Sequence, residues 1–590
     1  MQAQRRRFSL VLIKPSHYDD SGYVIQWWRS PIPSNSLAAM YGLVQDCIAR
    51  QVLGPDWEID VELVEETNSE VRIDRIAATV KAADAGMVML IGVQSNQFPR
   101  ALDIARPLRA KGVAVGIGGF HVSGTISMLD GDDEGMRAAK SLGVSLFAGE
   151  AEGRLDEVLR DAAGGTLKPV YNYMADLPPI EDAPIPFMPN EHVLRTATGL
   201  TSFDAGRGCP YQCSFCTIIN VQGRKSRRRS PDDIERIIRE NHAQGIHKFF
   251  ITDDNFARNK DWEPILDRLI ALREGEGMPF SFIIQVDTLC HRIPNFIEKC
   301  ARAGVKRVFI GLENINPANL MGAKKRQNKI TEYRTMLLAW RKQHVITYAG
   351  YILGFPADDF DSVMHDIDVI KRELPIDILE FFYLTPLPGS EDHQKLFRAG
   401  AEMDSDLNKY DLNHATRPEG GKMSKAEWER CYRAAWDRYY TSEHVTTLMK
   451  RAAATGLHTA NILFLSTWFA GSITIEGVHP LECGALRRKF RHARRPELGL
   501  ESPLLFYPRY WAETVIKLAR WARLYARYGR QYLRIERDPN RFAYTDQALT
   551  PVSAEDGEFE MFQSAEAVAF VKQEQRLERA RHGDFTSAAE

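Results

Sequence analysis

Three cysteines lie close together in the run Cys209-Pro-Tyr-Gln-Cys213-Ser-Phe-Cys216. The spacing C-x3-C-x2-C supplies three thiolates, which can hold three corners of an iron-sulfur cube and leave the fourth iron open for chemistry. Electron-transfer clusters are normally closed by four cysteines, and structural zinc sites also take four ligands. The run therefore predicts a metal centre with an open position. A chance cluster, or a metal site completed by a distant histidine, stays open as an alternative.

The other five cysteines stand singly in apolar or helical surroundings, which is typical of small buried hydrophobes. They are Cys47, Cys290, Cys300, Cys431 and Cys483. With 590 residues the chain is too long for one core and predicts two to four domains. No apolar run is long enough for a signal peptide or a membrane span. We expect a protein of the reducing cytoplasm, with the inner face of the membrane as an alternative position.

Short aliphatic runs alternate with helical patterns over residues 1–165, which predicts an α/β, doubly wound, Rossmann-like parallel sheet. Ligands bind such sheets in the loops after the strands. Two of these loops are rich in glycine, which permits close approach of a ligand, although a tight turn without a ligand would look the same. They are residues 116–124 and 149–153.

Proline-rich residues 166–199 predict an extended linker. Six further strand-like runs with helical patterns between them then predict a partial (β/α)6 barrel over residues 200–420, with its active site at the strand carboxyl ends. The cysteine run directly follows the first of these strands. Residues 421–590 are expected to be mainly helical, and from residue 555 onward they are polar.

Several segments, in order along residues 8–440, resemble the radical S-adenosylmethionine enzymes that carry an N-terminal cobalamin-binding domain. Beyond the cysteines they are Gly149-Glu-Ala-Glu152, Asp253-Asp-Asn-Phe256, Gly311-Leu-Glu-Asn314, Gly354-Phe-Pro356 and Leu384-Thr-Pro-Leu-Pro-Gly-Ser390. The resemblance implies that Cys209, Cys213 and Cys216 bind a 4Fe-4S cluster. S-adenosylmethionine would chelate the open iron and be cleaved by one electron.

The same resemblance places Phe215 near the adenine, Asp254 or Asn255 near the methionine amino group, and Glu313 at the ribose or methionine. An ordinary strand-end role is the alternative for each of these side chains. No single residue is assigned as catalytic.

In the N-terminal domain the resemblance implies cobalamin contacts in two turns. The residues concerned are Gly118, Gly119, His121, Gly149 and Glu150. Phe120 stands where related turns have proline, and no D-x-H-x-x-G occurs to supply a lower cobalt ligand. Relatives with this layout often hold cobalamin without a protein ligand. A scaffold domain that has kept the fold and lost cobalamin is the alternative.

These features predict a cobalamin-dependent radical enzyme that modifies an unactivated carbon, most simply by methyl transfer. Rearrangement, cyclisation or oxidation without methyl transfer is the first alternative, and a non-catalytic iron-sulfur or zinc scaffold is the second. A flavodoxin or ferredoxin would supply electrons. The substrate would be a small molecule or a lipid.

Basic and aromatic residues are interleaved at helical spacing over residues 509–537. Such a helix is typical of peripheral contact with an anionic membrane. A helix packed on the barrel by its aromatic face is the alternative, and nucleic acid is not expected as a partner. The apolar run 460–475 predicts a buried core helix, with a membrane-facing surface as its alternative.

Overall fold

The computed structural model describes residues 5–551, and its first half contains a six-stranded parallel sheet of order β3-β1-β4-β5-β6-β7. Strands of this half are β1 (Arg6–Lys14), β2 (Gln26–Arg29), β3 (Trp57–Glu65), β4 (Ala85–Leu90), β5 (Ala114–Gly118), β6 (Ser145–Ala148) and β7 (Val170–Asn172). Helices are α1 (Asn35–Ala49), α2 (Ile73–Lys81), α3 (Phe98–Ala110), α4 (Phe120–Met128), α5 (Glu134–Ser141), α6 (Leu155–Gly164) and α7 (Asn190–Val193). The predicted doubly wound sheet is confirmed.

The strand order of this sheet reverses between β1 and β4. From β1 the chain crosses to β3 on one side and then returns to β4 on the other. A crevice opens at such a switch point, outside the carboxyl ends of the two strands. The sheet therefore places its binding edge at the loops after β1 and β4.

A second six-stranded parallel sheet has the sequential order β15-β14-β13-β12-β11-β8, so it curves as an open barrel with β8 and β15 as its edges. Strands of this part are β8 (Thr201–Phe203), β9 (Gly206–Arg207), β10 (Arg227–Arg228), β11 (Lys248–Ile251), β12 (Ser281–Val286), β13 (Val305–Glu313), β14 (Ile346–Leu353) and β15 (Ile378–Tyr383). Helices are α8 (Ile218–Val221), α9 (Pro231–Ala243), α10 (Trp262–Ile270), α11 (Phe296–Arg302), α12 (Pro317–Gly322), α13 (Tyr333–Lys342), α14 (Phe360–Glu373) and α15 (Glu391–Arg398). The predicted six-stranded partial barrel is confirmed.

The rest of the described chain is mainly helical, as predicted. Its elements are β16 (Glu419–Gly420), β17 (Met423–Ser424), α16 (Lys425–Tyr439), α17 (Ser442–Ala454), α18 (Thr459–Gly471), β18 (Ala485–Arg488) and α19 (Pro503–Arg537). Strand β18 pairs antiparallel with β2, which ties this region back to the first half. The polar segment from residue 555 onward lies outside the described residues.

Helix α18 contains most of the apolar run 460–475, and its aliphatic residues Ile462, Leu463 and Leu465 are buried. This run is therefore a core helix, as the sequence favoured. Among residues 5–551, no helix combines the length and the hydropathy that a bilayer crossing requires.

Candidate active site

The cysteine run lies in a loop that leaves the second sheet after β8. Strands β9 and β10 pair antiparallel and close this loop at its base. Inside the loop the backbone N–H of Cys209 donates to the carbonyl of Gly223 at 3.2 Å. The backbone N–H of Ser214 ties the loop to the end of α12 by donating to the carbonyl of Ala323 at 3.1 Å. These hydrogen bonds hold the three thiols in fixed positions at the barrel mouth.

Asp253 supports the base of this loop from β11. One of its carboxylate oxygens accepts the backbone N–H groups of Ala205 and Gly206 at 2.7 Å each, and the other accepts from Asn259 at 3.1 Å. Burial raises the pKa of Asp253 to about 7. The first carboxylate of the Asp-Asp-Asn-Phe segment is thus a structural brace of the cysteine loop.

The three thiols suit a metal cluster better than a free state. Cys213 is buried, Cys209 and Cys216 are partly buried, and burial raises the pKa of Cys216 to about 12 and also raises that of Cys209. The positive charge of bound iron would offset the cost of burying thiolates at these positions. Within residues 5–551, no three His, Cys, Asp or Glu side chains converge on one point, as a single metal ion would require. A cube binds each cysteine at a different iron, so its ligands need not converge.

Of the two side chains predicted at the methionine amino group, only Asp254 is available. Asn255 donates to the Asp287 carboxylate at 2.9 Å and accepts the Asp287 backbone N–H at 3.2 Å. Asp254 is near enough to Cys209 and Cys216 to raise the pKa of both thiols, after the larger effect of burial. Burial also raises the pKa of Asp254 itself to about 7. An adjacent ammonium would restore its charge.

Glu313 reaches the site because the end of β13 is bent. Its backbone has φ +64°, in the left-handed region, and the pairing of β13 with β14 shifts register just before it. Asn328 holds this bend by donating to the carbonyls of Gly311 and Leu312 at 3.0 and 2.6 Å. Strain at a bulky residue of this kind persists only when the surroundings impose it. The bend aims the carboxylate into a cavity.

Lys325 is a site residue that the sequence analysis missed. Its ammonium donates to Glu313 and lies 5.8 Å from the ring centroid of Phe215. Burial alone would lower the pKa of Lys325, but Glu313 and Cys213 hold it above its ordinary value. Gly311 leaves room for the pair, because a Cβ there would lie 2.7 Å from the Glu313 carboxylate. A buried cation therefore stands beside the cysteine loop.

A cavity of about 390 Å³ lies between the two sheets. Phe215 and Glu313 line it from the second sheet, as do Leu384, Thr385, Leu387 and Pro388 of the loop after β15. From the first sheet it is lined by Gln94, Ser95 and Asn96, which follow β4, and by Phe120. The cavity thus joins the cysteine loop to the switch-point edge of the first sheet.

The loop after β4 was not singled out from the sequence, where only the glycine-rich loops after β5 and β6 were considered. Lys14, at the end of β1, holds it by donating to the Gly92 carbonyl and, at 2.6 Å, to Gln97. Burial lowers the pKa of Lys14 to about 8. The signal that marks this loop is the polar triplet Gln-Ser-Asn directly after the apolar run 87–93.

The three glycines predicted to contact cobalamin are packed closely against neighbouring residues. An added Cβ would lie 2.1 Å from the Val93 nitrogen at Gly119, 3.1 Å from Tyr173 at Gly149 and 3.3 Å from Phe147 at Gly118. These contacts explain the glycines without a ligand.

His121 is fully buried and its ring nitrogens face protein groups. Its Nδ1 lies 3.2 Å from the Ser95 hydroxyl and its Nε2 lies 3.3 Å from the Asp133 carboxylate. The ring also packs on Phe98, with 4.2 Å between centroids. Its place is behind the cavity wall, where it supports the loop after β4.

Glu150 binds arginines of the cysteine loop. Its carboxylate accepts from Arg207 at 2.6 Å and from Arg227 at 2.7 Å, and Glu152 accepts from Arg207 at 2.7 Å. Asp204 also accepts from Arg207, at 3.1 Å. The Gly-Glu-Ala-Glu turn of the first sheet therefore clamps both strands of the hairpin that closes the cysteine loop.

Acidic side chains form the far wall of the cavity. Asp411 and Glu482 both line it. His414 lies 3.0 Å from Asp411 and 2.9 Å from Asp20, and although burial opposes its charge, these carboxylates raise the pKa of His414 to about 10. Burial raises the pKa of Glu482, which lies 3.6 Å from His17. This wall therefore presents carboxyl oxygens that can accept hydrogen bonds.

A comparison with known protein families identifies the second sheet. The profile of the Radical SAM superfamily matches residues 205–370, which span the cysteine loop and β11 to β14. The chain carries a radical SAM domain. This family uses a 4Fe-4S cluster and S-adenosylmethionine, so the predicted superfamily and these two cofactors are confirmed.

Known relatives of the radical SAM domain include methyltransferases. Bacteriochlorophyllide d C-8(2)-methyltransferase from Chlorobaculum tepidum is 25% identical over 348 residues, which are 55% of this chain and 72% of that protein. TsrM from Kitasatospora setae, a radical S-adenosylmethionine methyltransferase solved with cobalamin and a [4Fe-4S] cluster, superposes with a TM-score of 0.54 and 14% identity over 75% of this chain and 90% of TsrM.

A second solved structure covers more of this chain. OxsB, a cobalamin-dependent S-adenosylmethionine radical enzyme solved with aqua-cobalamin and S-adenosylmethionine, has a TM-score of 0.51 and 13% identity over 92% of this chain and 83% of OxsB. At these identities TsrM and OxsB show a shared fold. The radical SAM domain and the sheet before it therefore have the two-sheet architecture of solved cobalamin-dependent enzymes.

Proposed function

We propose that this protein is a cobalamin-dependent radical S-adenosylmethionine methyltransferase that methylates an unactivated carbon. One observation carries the proposal: a single cavity joins Phe215 and Glu313, beside the cysteine loop, to the polar loop 94–96 at the switch point of the first sheet. Methyl transfer between two bound groups needs both within reach of one substrate. The methyltransferase relatives and the fold shared with TsrM support the same reaction.

When bound, the cluster supplies the electron that cleaves S-adenosylmethionine, and cobalamin supplies the methyl group. Cys209, Cys213 and Cys216 would hold the cluster. Asp254 would accept the methionine ammonium, because its carboxylate lies near two of the thiols and no side chain among residues 5–551 donates a hydrogen bond to it. A charge-assisted hydrogen bond of this kind fixes the orientation of the ligand.

Two further side chains would position S-adenosylmethionine. Phe215 lines the cavity and packs edge-on against Phe355, with 6.5 Å between centroids, so its face is fixed for stacking on a planar base. Glu313 presents a carboxylate to the same space and would accept ribose hydroxyls. Lys325 donates to that carboxylate and orients it toward the cavity.

Gln94, Ser95 and Asn96 would face cobalamin from the first sheet. Their amides and hydroxyl match the amide side chains of a corrin ring, and they lie at the switch-point edge where such sheets bind ligands. His121 is held by Ser95 and Asp133 and is not placed to bind cobalt. Cobalamin would thus be held without a histidine from this segment. Glu150 would act by clamping the cysteine loop.

The acidic far wall of the cavity would contact the substrate. We propose that this substrate is a small molecule or lipid with a hydroxyl or amine beside the methylated carbon. Asp411 and Glu482 would accept hydrogen bonds from that group. Apolar side chains of the loop after β15 and of Phe382 would contact the rest of the substrate. Electrons would come from a flavodoxin or ferredoxin.

Product analysis tests this proposal. The protein is reconstituted anaerobically with iron, sulfide and cobalamin, then incubated with a reductant, methyl-deuterated S-adenosylmethionine and a cellular extract of metabolites and lipids. Labelled product together with S-adenosylhomocysteine is expected. Turnover that yields 5'-deoxyadenosine and no labelled product would instead establish rearrangement, cyclisation or oxidation. Cys213→Ala should abolish turnover, whereas Cys300→Ala, in the buried core of α11, should keep it.

A further inference from the structure

Helix α19 is 35 residues long and has three distinct faces. One face packs on the protein through residues spaced by three and four positions. They are Trp521, Leu524, Tyr528, Tyr532 and Ile535. Trp521 donates to Glu476 at 2.9 Å, and the Tyr528 hydroxyl donates to the Tyr440 carbonyl at 2.7 Å. These contacts fix the rotation of the helix, so the other two faces point outward.

The second face is an apolar stripe exposed to solvent. Its residues are Leu504, Trp511, Val515, Leu518, Tyr525 and Leu533, with exposures from 49% to 86%. Their spacing keeps them on one side of a helix with 3.6 residues per turn. At 1.5 Å per residue the stripe runs about 45 Å. Exposed apolar surface of this extent marks an interaction site.

The third face is an arginine band with strict spacing of three and four residues. It consists of Arg520, Arg523, Arg527, Arg530, Arg534 and Arg537, all exposed. None of the six forms an ion pair with an acid in the described part of the chain, residues 5–551. Against eight basic residues, α19 carries only two acids, Glu513 and Glu536. The band therefore presents uncompensated positive charge beside the apolar stripe.

We propose that α19 docks this protein on an anionic lipid bilayer, with the apolar stripe entering the headgroup region and the arginine band contacting lipid phosphates. A stripe of aliphatic and aromatic residues beside arginines is the arrangement of an interfacial helix. Arginine and anionic lipid are complementary in charge. A second copy of the chain packed on this face would bring two arginine bands together, and like charges disfavour that pairing. Nucleic acid would match the band but would leave the aliphatic stripe in water.

Vesicle flotation of the full-length, cluster-loaded protein tests this docking. We expect flotation with vesicles of phosphatidylcholine and phosphatidylglycerol, and a large loss in high salt or with phosphatidylcholine alone. Each arginine near the surface contributes about 1 kcal/mol, so Arg523→Gln/Arg527→Gln/Arg530→Gln should weaken partitioning roughly 100-fold. Val515→Glu/Leu518→Glu should abolish flotation. Leu194→Glu, an equally exposed leucine away from α19, should float normally.

Five results would overturn the proposal. The first is that the wild-type protein does not float. The second is that the charge and stripe variants float as well as wild type although circular dichroism shows them folded. A dimer that Val515→Glu/Leu518→Glu converts to monomer would assign the face to a second copy. Flotation that appears only after removal of residues 552–590 would show that this segment covers the face. Tight binding of a nucleic acid duplex with no vesicle binding would assign it to nucleic acid. Cleavage of S-adenosylmethionine in solution should be equal in all variants, so docking is separable from the proposed reaction.

Discussion

Replacing Glu150 with glutamine should loosen the cysteine loop although Glu150 belongs to the other sheet. The substitution keeps the shape of the side chain and removes a charge that lies between Arg207 and Arg227. The side chains of all three residues are 15% exposed or less. Water therefore cannot replace the lost carboxylate, and the new amide group would point donors at a guanidinium.

The size of the effect follows from burial and from the remaining partners. Removing one member of a buried ion pair costs about 3–5 kcal/mol. Glu152 and Asp204 still neutralise Arg207, so we expect the lower end, about 3 kcal/mol. A local opening that becomes easier by this amount is roughly 100-fold more frequent.

Amide hydrogen exchange of the cluster-loaded protein measures this opening directly. Residues 208–226 should exchange roughly 100-fold faster in Glu150→Gln than in wild type. Glu62→Gln is the matched control, because its pair with Arg75 is exposed on the same sheet and such pairs contribute about 0–1 kcal/mol. Unchanged exchange of residues 208–226 in Glu150→Gln, with the variant folded, would refute the clamp.

Three other substitutions give separate tests. Lys325→Met removes a buried cation beside the cluster site, so an electron added to the cluster is less stable. The midpoint potential of the cluster, followed by EPR, should therefore fall by tens of millivolts. An unchanged or higher potential would contradict the assigned position of Lys325. In His414→Gln the lost ion pairs with Asp411 should cost about 1–2 kcal/mol at neutral pH. Because the pKa of His414 is raised to about 10, its contribution to the free energy of unfolding is complete below about pH 6.5 and is lost as pH rises through 10. The stability difference between His414→Gln and wild type should therefore shrink near pH 10. A difference independent of pH would argue against a charged His414 in this ion pair. Gly119→Ala places a Cβ 2.1 Å from the Val93 nitrogen at φ +146°, and thermal melting should show a strong loss of stability; a normal melting temperature would mean that the turn is not constrained as described.

Most of the fold could be predicted from the strand and helix patterns of the sequence. The apolar run 8–13 became β1, an interior strand that is buried on both faces. The run 57–64 became β3, an edge strand in which apolar residues alternate with Glu58, Asp60 and Glu62. The cysteine loop was predicted correctly as the continuation of the first barrel strand. Both results depend on residues that are neighbours in sequence.

The remainder of the site depends on residues brought together from distant parts of the chain. Glu150 and His121 were predicted to contact a cofactor. The sequence does not show that Arg207 and Arg227 bind Glu150, nor that Asp133 lies beside His121. Lys325 was missed because a lysine in a basic run such as Lys324-Lys325-Arg326 usually faces solvent. The loop 94–96 was missed because the switch point is defined by strand order, which composition does not reveal.

The central claim is that three cysteines hold a cluster whose fourth iron binds S-adenosylmethionine. The most direct measurement is the EPR spectrum of the reduced, reconstituted protein before and after S-adenosylmethionine is added. Wild type and Cys300→Ala should both show a cluster signal that changes on addition, and Cys213→Ala should show neither the signal nor the change. A cluster signal that S-adenosylmethionine leaves unaltered, or one that Cys213→Ala retains in full, would contradict the claim.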